Sequence, residues 1–477
     1  MLAHGRLVTT DVAAALGTTL AGLSFIRFLE RPSRKVALVS GLALGAALLL
    51  KFSTFLLVPF LAALTVLWML LESRKIIRYL SGAVIIGSSA AWLVLLPYLG
   101  TTAWYPPERQ LWDAYFALFD YAHGPLGRMG HAPAKEDFAS LVNDRTRDLR
   151  ACVRLITEPN FPRLKRCPAE LAIFLADKPM VRAWGEYLLG LVLTTWRASA
   201  GDLAFFLGEV SASGWRQYFP VVYAMKEPLA FHLLTAVALV LALTRVWSSS
   251  MSLRSMVAWL RSHPADTLML SWLALYWSMA IHSRLNLGIR HLLPVFPFTI
   301  MLVSRQIGRW LEMAPGLSVR LLSLLSTRRV VVACLLLWQV VSVLRVYPSF
   351  LAYFNEAVGG PAGGARYVVD SNLDWGQDLR RLRAFVDTHQ ITQIGVDYFG
   401  GGSPGYELGE KFIPWESAKG PYPGWLAVSV SLLQFSQARW DPALEYPAAD
   451  AYAWLQGKRP AAQIGHSIYV FDLRTIS

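Results

Sequence analysis

Three sets of side chains in this sequence are of the types that do chemistry. The densest is the run Asp370-Ser371-Asn372-Leu373-Asp374-Trp375-Gly376-Gln377-Asp378. Within it, Asn372, Asp374, Trp375, Gln377 and Asp378 combine carboxylates, side-chain amides and an indole. Such a set suits the hydroxyls of a sugar or of an acceptor, because each group donates to or accepts from an alcohol. The same residues also have a structural use: Asn372 or Asp374 can cap a following helix while Trp375 docks the C-terminal domain onto the loop at 98–226. The second set is cationic. Lys51, Lys226, Arg284, Arg290 and His291 stand at the edges of long apolar runs. Arginine binds an oxyanion in bidentate fashion and lysine acts as a point charge, although a lone cation at a helix end can simply reach back to water. The third is Asp11, which opens an apolar run with His4 and Arg6 shortly before it. It reads either as a helix N-cap, favoured by the helix dipole, or as a catalytic-site group that touches substrate or orients a base. With no GxGxxG, P-loop or HExxH pattern, nothing implies a nucleotide cofactor, and no metal site is indicated among these residues.

Apolar runs long enough for helices position these groups; they fall at 12–29, 36–50, 52–71, 79–98, 227–245, 266–282, 289–304 and 329–347. The 477 residues are 55% hydrophobic and 16% charged, too few charges to cover a soluble protein of that length, so the runs read as membrane spans. The net charge of +13 is spread over short clusters between runs instead of one patch, which argues against nucleic acid. As one helix, residues 36–71 would extend for roughly 54 Å against a hydrocarbon core of about 30 Å. Lys51-Phe52-Ser53 is the polar interruption, so a hairpin of two short helices is expected to turn there.

That break can be checked against loop charge. With it, Arg31, Arg34 and Lys35, then Arg74, Lys75 and Arg78, then Arg254 and Arg261, then Arg309, Arg320, Arg328 and Arg329 all fall on one side, as the positive-inside rule requires. The expected division is 1–97 transmembrane helices with an outer hairpin turn, 98–226 an extracytoplasmic loop region, 227–347 transmembrane helices, and 348–477 an extracytoplasmic domain. The chain is thus expected to be a multi-pass protein of the plasma or inner membrane. In the loop region, the stretch 187–196 is too short to span and suits a helix lying in the interface. Cys152 and Cys167 share that oxidising loop and are expected to pair, closing a loop of about 15 residues for about 3 kcal/mol. After Pro348 the pattern becomes that of a small soluble α/β domain: strands at 366–370, 393–399, 425–432 and 467–473, helices at 374–390 and 448–455. Strands alternating with helices predict a largely parallel sheet.

The motif at 370–379, DSNLDWGQDL, preceded by Asn355-Glu356 and Gly359-Gly360, resembles a bacterial branch of the dolichyl-phosphate-mannose–protein mannosyltransferase family. LAHGRLVTTD at 2–11, GLALGAALLLKFS at 41–53, FLGEVSASGWRQYFPVVYAMKEP at 206–228 and GIRHLLPVFPF at 288–298 are similar to the same family in the same order. The resemblance implies a polytopic α-helical membrane protein of the GT-C type with a small C-terminal α/β soluble domain. It implies an inverting glycosyltransferase that moves a sugar, mannose or a similar hexose, from a polyprenyl phosphate to a protein or glycan hydroxyl at the outer membrane face. The partners are then the lipid-linked sugar, the acceptor and the bilayer. In that reading Lys51, Lys226, Arg284, Arg290 and His291 hold the departing lipid phosphate, where reduced dielectric strengthens each contact.

In the family, the acidic residue given the base role lies in the first outer loop. The matching stretches here begin after it, so no residue of this chain inherits that role. Upstream helices are therefore expected outside this sequence, and residues 1–477 alone are expected not to transfer sugar. Two other classes stay open. One is a transporter or flippase of a lipid-linked substrate, against which stand the lack of an internal repeat and the gathering of polar residues at one interface. The other is a non-catalytic membrane scaffold.

Overall fold

The computed structural model describes residues 2–7, 9–123, 166–176, 178–247, 252–312, 327–442, 444 and 452–474. It divides into two compact units: a helical unit, 13–199 with 257–268, and a mixed unit, 1–12, 200–256 and 269–477. The units cut across the four sequence segments, since the C-terminal strands belong with 1–12 and 200–256. Among the described residues, five helices are long and apolar enough to cross a membrane: Asp11–Glu30, Phe52–Leu71, Ser73–Ala103, Leu229–Trp247 and Thr327–Leu344.

The chain opens with α1 (Leu2–Gly5), followed by α2 (Asp11–Glu30), α3 (Arg34–Leu50), α4 (Leu57–Leu71) and α5 (Ile76–Ala103). Arg31-Pro32 stops α2, because proline cannot continue a helix and biases the residue before it away from helical angles. Ser33 then restarts the chain by accepting the Val36 N–H at 3.4 Å as the N-cap of α3. α3 packs along α5 through small residues. A methyl group added at Gly41 would lie 2.6 Å from the Ile86 carbonyl oxygen, and one at Gly45 would lie 2.9 Å from that of Ala90. Close approach of this kind holds helices together where burial from water cannot. Tyr79 of α5 donates to the Leu29 carbonyl at 3.0 Å and meets the Phe28 ring edge-on.

The expected break at Lys51 is present. Lys51 is extended, and Phe52–Leu56 is a 3-10 turn leading into α4. α6 (Pro107–His123), α7 (Arg166–Ala176) and α8 (Arg182–Ala200) complete the unit. The stretch 187–196 lies inside α8, whose Leu189 and Val192 pack on Ala114, Ala172 and Ala176. It is a face of a helical cluster, not a short helix on its own.

In the mixed unit, β1 (Ala204–Phe206) and β2 (Glu209–Ser211) form a hairpin, followed by α9 (Tyr218–Lys226) and α10 (Leu229–Trp247). α11 (Leu253–Ser262) and α12 (Pro264–His282) each run from one unit into the other, and α13 (Phe296–Glu312) and α14 (Thr327–Leu344) pack with α10 through Leu234, Ala238, Ile307 and Val332. The apolar run at 289–304 does not start as an α-helix. Ile289–Val295 is a 3-10 segment with Pro294 inside it.

The C-terminal region holds α15 (Leu379–Thr388), β3 (Ile394–Asp397), β4 (Phe412–Pro414), β5 (Trp425–Ser429), α16 (Val430–Gln437), β6 (Arg439–Trp440), β7 (Ala462–Ile464) and β8 (Ile468–Asp472). β6 pairs in parallel with β2. The main sheet has the order β4-β3-β5-β8-β7. β4, β3 and β5 are parallel, but β8 runs antiparallel to β5 and, through the tight turn at Gly465 with φ of 57°, forms an antiparallel hairpin with β7. The sheet is therefore mixed, where a largely parallel one was expected.

Three expected elements change. Residues 366–370 form no strand beyond a single Val368–Phe206 bridge, since Asp370 has a φ of 55° and starts a 3-10 turn. The strand expected at 425–432 ends at Ser429, where α16 begins. In the helix expected at 448–455, residues 448–451 lie outside the described ones and 453–455 is a 3-10 turn.

Candidate functional site

The site of the mixed unit forms where the Ile289–Val295 turn meets the 370–378 motif. Gly288 enters that turn at a φ of 157°, and a Cβ there would sit 3.0 Å from the Ser371 Cβ. Asn372 closes the junction. Its Oδ1 accepts the Ile289 N–H at 3.0 Å, while its Nδ2 donates to the Tyr218 hydroxyl at 2.9 Å and to the Val369 carbonyl at 3.3 Å. With both ends of its amide used and no exposed surface, Asn372 ties the motif to Ile289 and Tyr218; it caps no helix, because the helix that follows starts at Leu379 with Asp378 at its N-cap position.

Arg290 occupies the centre. Its Nη1 lies 3.6 Å from Asp11 Oδ2, and its guanidinium carbon stands 4.6 Å from the Trp375 ring centroid. The Arg290 Nε is buried without a hydrogen-bond partner among the described residues. Asp11, the first residue of α2, is 2% exposed. A catalytic candidate, a phosphate-binding candidate and an aromatic of the motif are thus brought together.

Lys226, the last residue of α9, is buried, donates to the carbonyls of Leu351 at 2.7 Å and Asn372 at 2.6 Å, and lies 4.1 Å from the Phe354 ring centroid. Burial pulls its ammonium pKa down to about 7. His4 is 3% exposed, and its Nδ1 has no hydrogen-bond partner among the described residues. Burial first, and then the charge of Lys226, lowers its pKa to about 4. The imidazole is neutral at pH 7.

The two aspartates of the DWGQD stretch are treated differently. Asp378 is fully buried and tied on every side: Oδ1 to Arg381 at 2.7 Å, Oδ2 to the Ser467 hydroxyl at 2.8 Å and the His466 N–H at 3.3 Å. Asp374, 1% exposed, accepts the Gly376 N–H on Oδ1 at 2.8 Å, whereas its Oδ2 is buried without a hydrogen-bond partner in range among the described residues. Burial pushes its pKa up to about 7, with Asp378 and Asp370 adding to the rise and the Gly376 N–H and the Ser467 hydroxyl opposing it. The same turn, with Gly376 at a φ of 80°, is why α15 starts at Leu379 and not at the expected 374. Gln377 folds back, accepting the Trp375 N–H at 2.8 Å and donating to the Leu373 carbonyl at 3.0 Å. The Trp375 Nε1 is buried without a partner among the described residues.

Other candidates stand apart. Arg284 is exposed beside Gly201. His291 packs its ring edge-on to Phe219, and its carbonyl accepts the Tyr276 hydroxyl at 2.8 Å. Lys51 belongs to the helical unit. The expected Cys152–Cys167 bond lies outside the described residues. Sequence reading missed Asp370 as a site group; burial raises its pKa to about 6 against the hydrogen bonds from Ser371. Its place before a motif already rich in polar residues was the available signal. Among the described residues, no cluster of three or more His, Cys, Asp or Glu side chains suits a metal ion. Compared with models of known protein families, with characterised proteins and with solved structures, the chain matches none.

Proposed function

We propose that this chain is a polytopic membrane glycosyltransferase of the GT-C type that takes a sugar, mannose or a similar hexose, from a polyprenyl phosphate and passes it to a protein or glycan hydroxyl at the outer face. The observation that carries this reading is Arg290: a half-buried guanidinium whose buried Nε has no hydrogen-bond partner among the described residues, 3.6 Å from Asp11 and over the Trp375 ring. A buried cation with unused donors suits an oxyanion ligand, because the low dielectric strengthens the pair and the fork of N–H groups matches phosphate.

In this role Arg290 neutralises the charge that grows on the lipid phosphate as the glycosidic C–O bond breaks. Asp11 orients the guanidinium. Lys226, bound to two carbonyls, holds the surrounding backbone in place, so the donor-phosphate work concentrates on Arg290 and not on all five cations.

Binding of a polyprenyl-phosphate-linked hexose to the protein in lipid nanodiscs, followed by native mass spectrometry, tests the reading. Arg290→Ala should weaken binding about tenfold or more, the scale of a charge-assisted hydrogen bond, and Arg290→Lys should recover part of it. Equal binding by all three proteins would remove Arg290 from donor recognition and with it the basis of the proposal.

A further inference from the structure

We propose that α11 (Leu253–Ser262) is an anchor on the cytoplasmic leaflet of the membrane, with its apolar face among the acyl chains and Arg254 and Arg261 on the headgroups of anionic phospholipids. This inference does not depend on the transferase reading; it needs only that α10 spans the membrane. Leu253, Met256, Val257 and Leu260 recur at i, i+3, i+4 and i+7, which places them on one face of the helix, and Trp259 borders that face. Arg254 and Arg261, about two turns apart, share the other border, while Ser255, Ala258 and Ser262 fall opposite. In a soluble setting such a face packs on the rest of the protein, as α15 does by burying Leu379, Leu382 and Val386. No residue of α11 is buried. Leu253 is 73% exposed, and Met256 and Trp259 are exposed as well.

Position and charge identify what covers this face. α11 begins at Leu253, soon after Trp247 ends the candidate span of α10. The extended chain between them reaches at most about 20 Å, which keeps the helix near the membrane surface. Trp247 is itself 92% exposed, as an indole at the headgroup level is. At about 15 Å, α11 is too short to cross a hydrocarbon core of about 30 Å, so it lies in the plane of the interface. Trp259 is held at the end of the helix by its stack on His263, with the rings 4.9 Å apart and 10° from parallel. Residues 248–265 hold Arg254 and Arg261 and no acidic residue, and neither arginine has an ion-pair partner among the described residues. Anionic headgroups supply the missing charge, since basic side chains at a membrane surface are drawn to acidic lipid. A second copy of the chain fits less well, because a two-fold contact through this face sets the same arginines against each other with no carboxylate between them.

Photocrosslinking of the full chain in nanodiscs of phosphatidylcholine and phosphatidylglycerol tests this, with benzoylphenylalanine replacing Met256 and, in a second protein, Ala258. Lipid adducts are expected on the peptide carrying position 256 and few or none at 258. Native mass spectrometry of the same nanodiscs should show phosphatidylglycerol retained in preference to phosphatidylcholine. That preference should fall about fivefold or more when Arg254→Gln and Arg261→Gln are combined, and return when Arg254→Lys and Arg261→Lys are combined. Cross-links from position 256 to another segment of the chain or to a second copy would overturn the proposal, because the face would then be covered by protein. Equal lipid labelling at 256 and 258, no lipid adduct at 256, or lipid retention unchanged without the two arginines would overturn it too. Each of these results leaves donor recognition by Arg290 untouched.

Discussion

A lysine ammonium held between two backbone carbonyls and an aromatic face contributes to the fold first. In Lys226→Ala the Leu351 and Asn372 carbonyls each lose a donor, and an unpaired buried acceptor costs about 1–3 kcal/mol. A lower thermal midpoint with donor affinity retained in the folded fraction is expected; the reverse pattern would make Lys226 a phosphate ligand. His4 gives a pH signature. Its folded pKa of about 4 lies below the ordinary 6.5, so between those values the unfolded chain binds more protons. Stability contributed by the neutral imidazole is present above pH 6.5 and lost as pH falls toward 4, amounting to at most about 3 kcal/mol. Thermal melts of the wild-type protein and His4→Gln from pH 7 to pH 4 should diverge, with the variant less acid-sensitive; parallel curves would show that His4 is solvated. Arg290, Asp374 and Trp375 were visible in the sequence as types suited to chemistry. Their division of labour was not, because it depends on which oxygen or nitrogen lacks a partner once buried. Asn372, Gln377 and Asp378 look the same in sequence and turn out to bind the motif together.

At the scale of elements, the α3–α5 contact rests on two glycines one helical turn apart. Gly41→Val would put a Cβ 2.6 Å from the Ile86 carbonyl oxygen and 2.9 Å from its Cα, and neither backbone can yield without separating the helices. A loss of several degrees or more in thermal midpoint is expected, far beyond the effect of Gly87→Val on the same pair, where nothing lies within 4 Å of the added Cβ. Equal effects would mean that the helices do not pack through Gly41. The break at Lys51 and the helices around it were legible because apolar periodicity and loop charge act locally. The C-terminal region was less so. The positive φ at Asp370 and Gly376 interrupts a β-branched run and delays α15, and backbone angles of that kind leave only a weak trace in residue type. The antiparallel β7–β8 hairpin was missed because β7 is only three residues long.

At the scale of the whole molecule, the proposal requires the basic loops on one side and the 370–378 motif on the other. Reporter fusions after Ser73 and Arg254 should read as cytoplasmic and a fusion after Thr388 as extracytoplasmic; a cytoplasmic Thr388 fusion would separate the motif from any outer-face acceptor. The most direct test of the central claim is photocrosslinking with a polyprenyl-phosphate hexose that carries its reactive group on the sugar, followed by peptide mapping. Labelling confined to 288–298 and 370–379, and lost in Arg290→Ala, is the expected result. Labelling elsewhere in the chain, or labelling that persists in Arg290→Ala, would contradict the claim that this chain takes a lipid-linked sugar at Arg290.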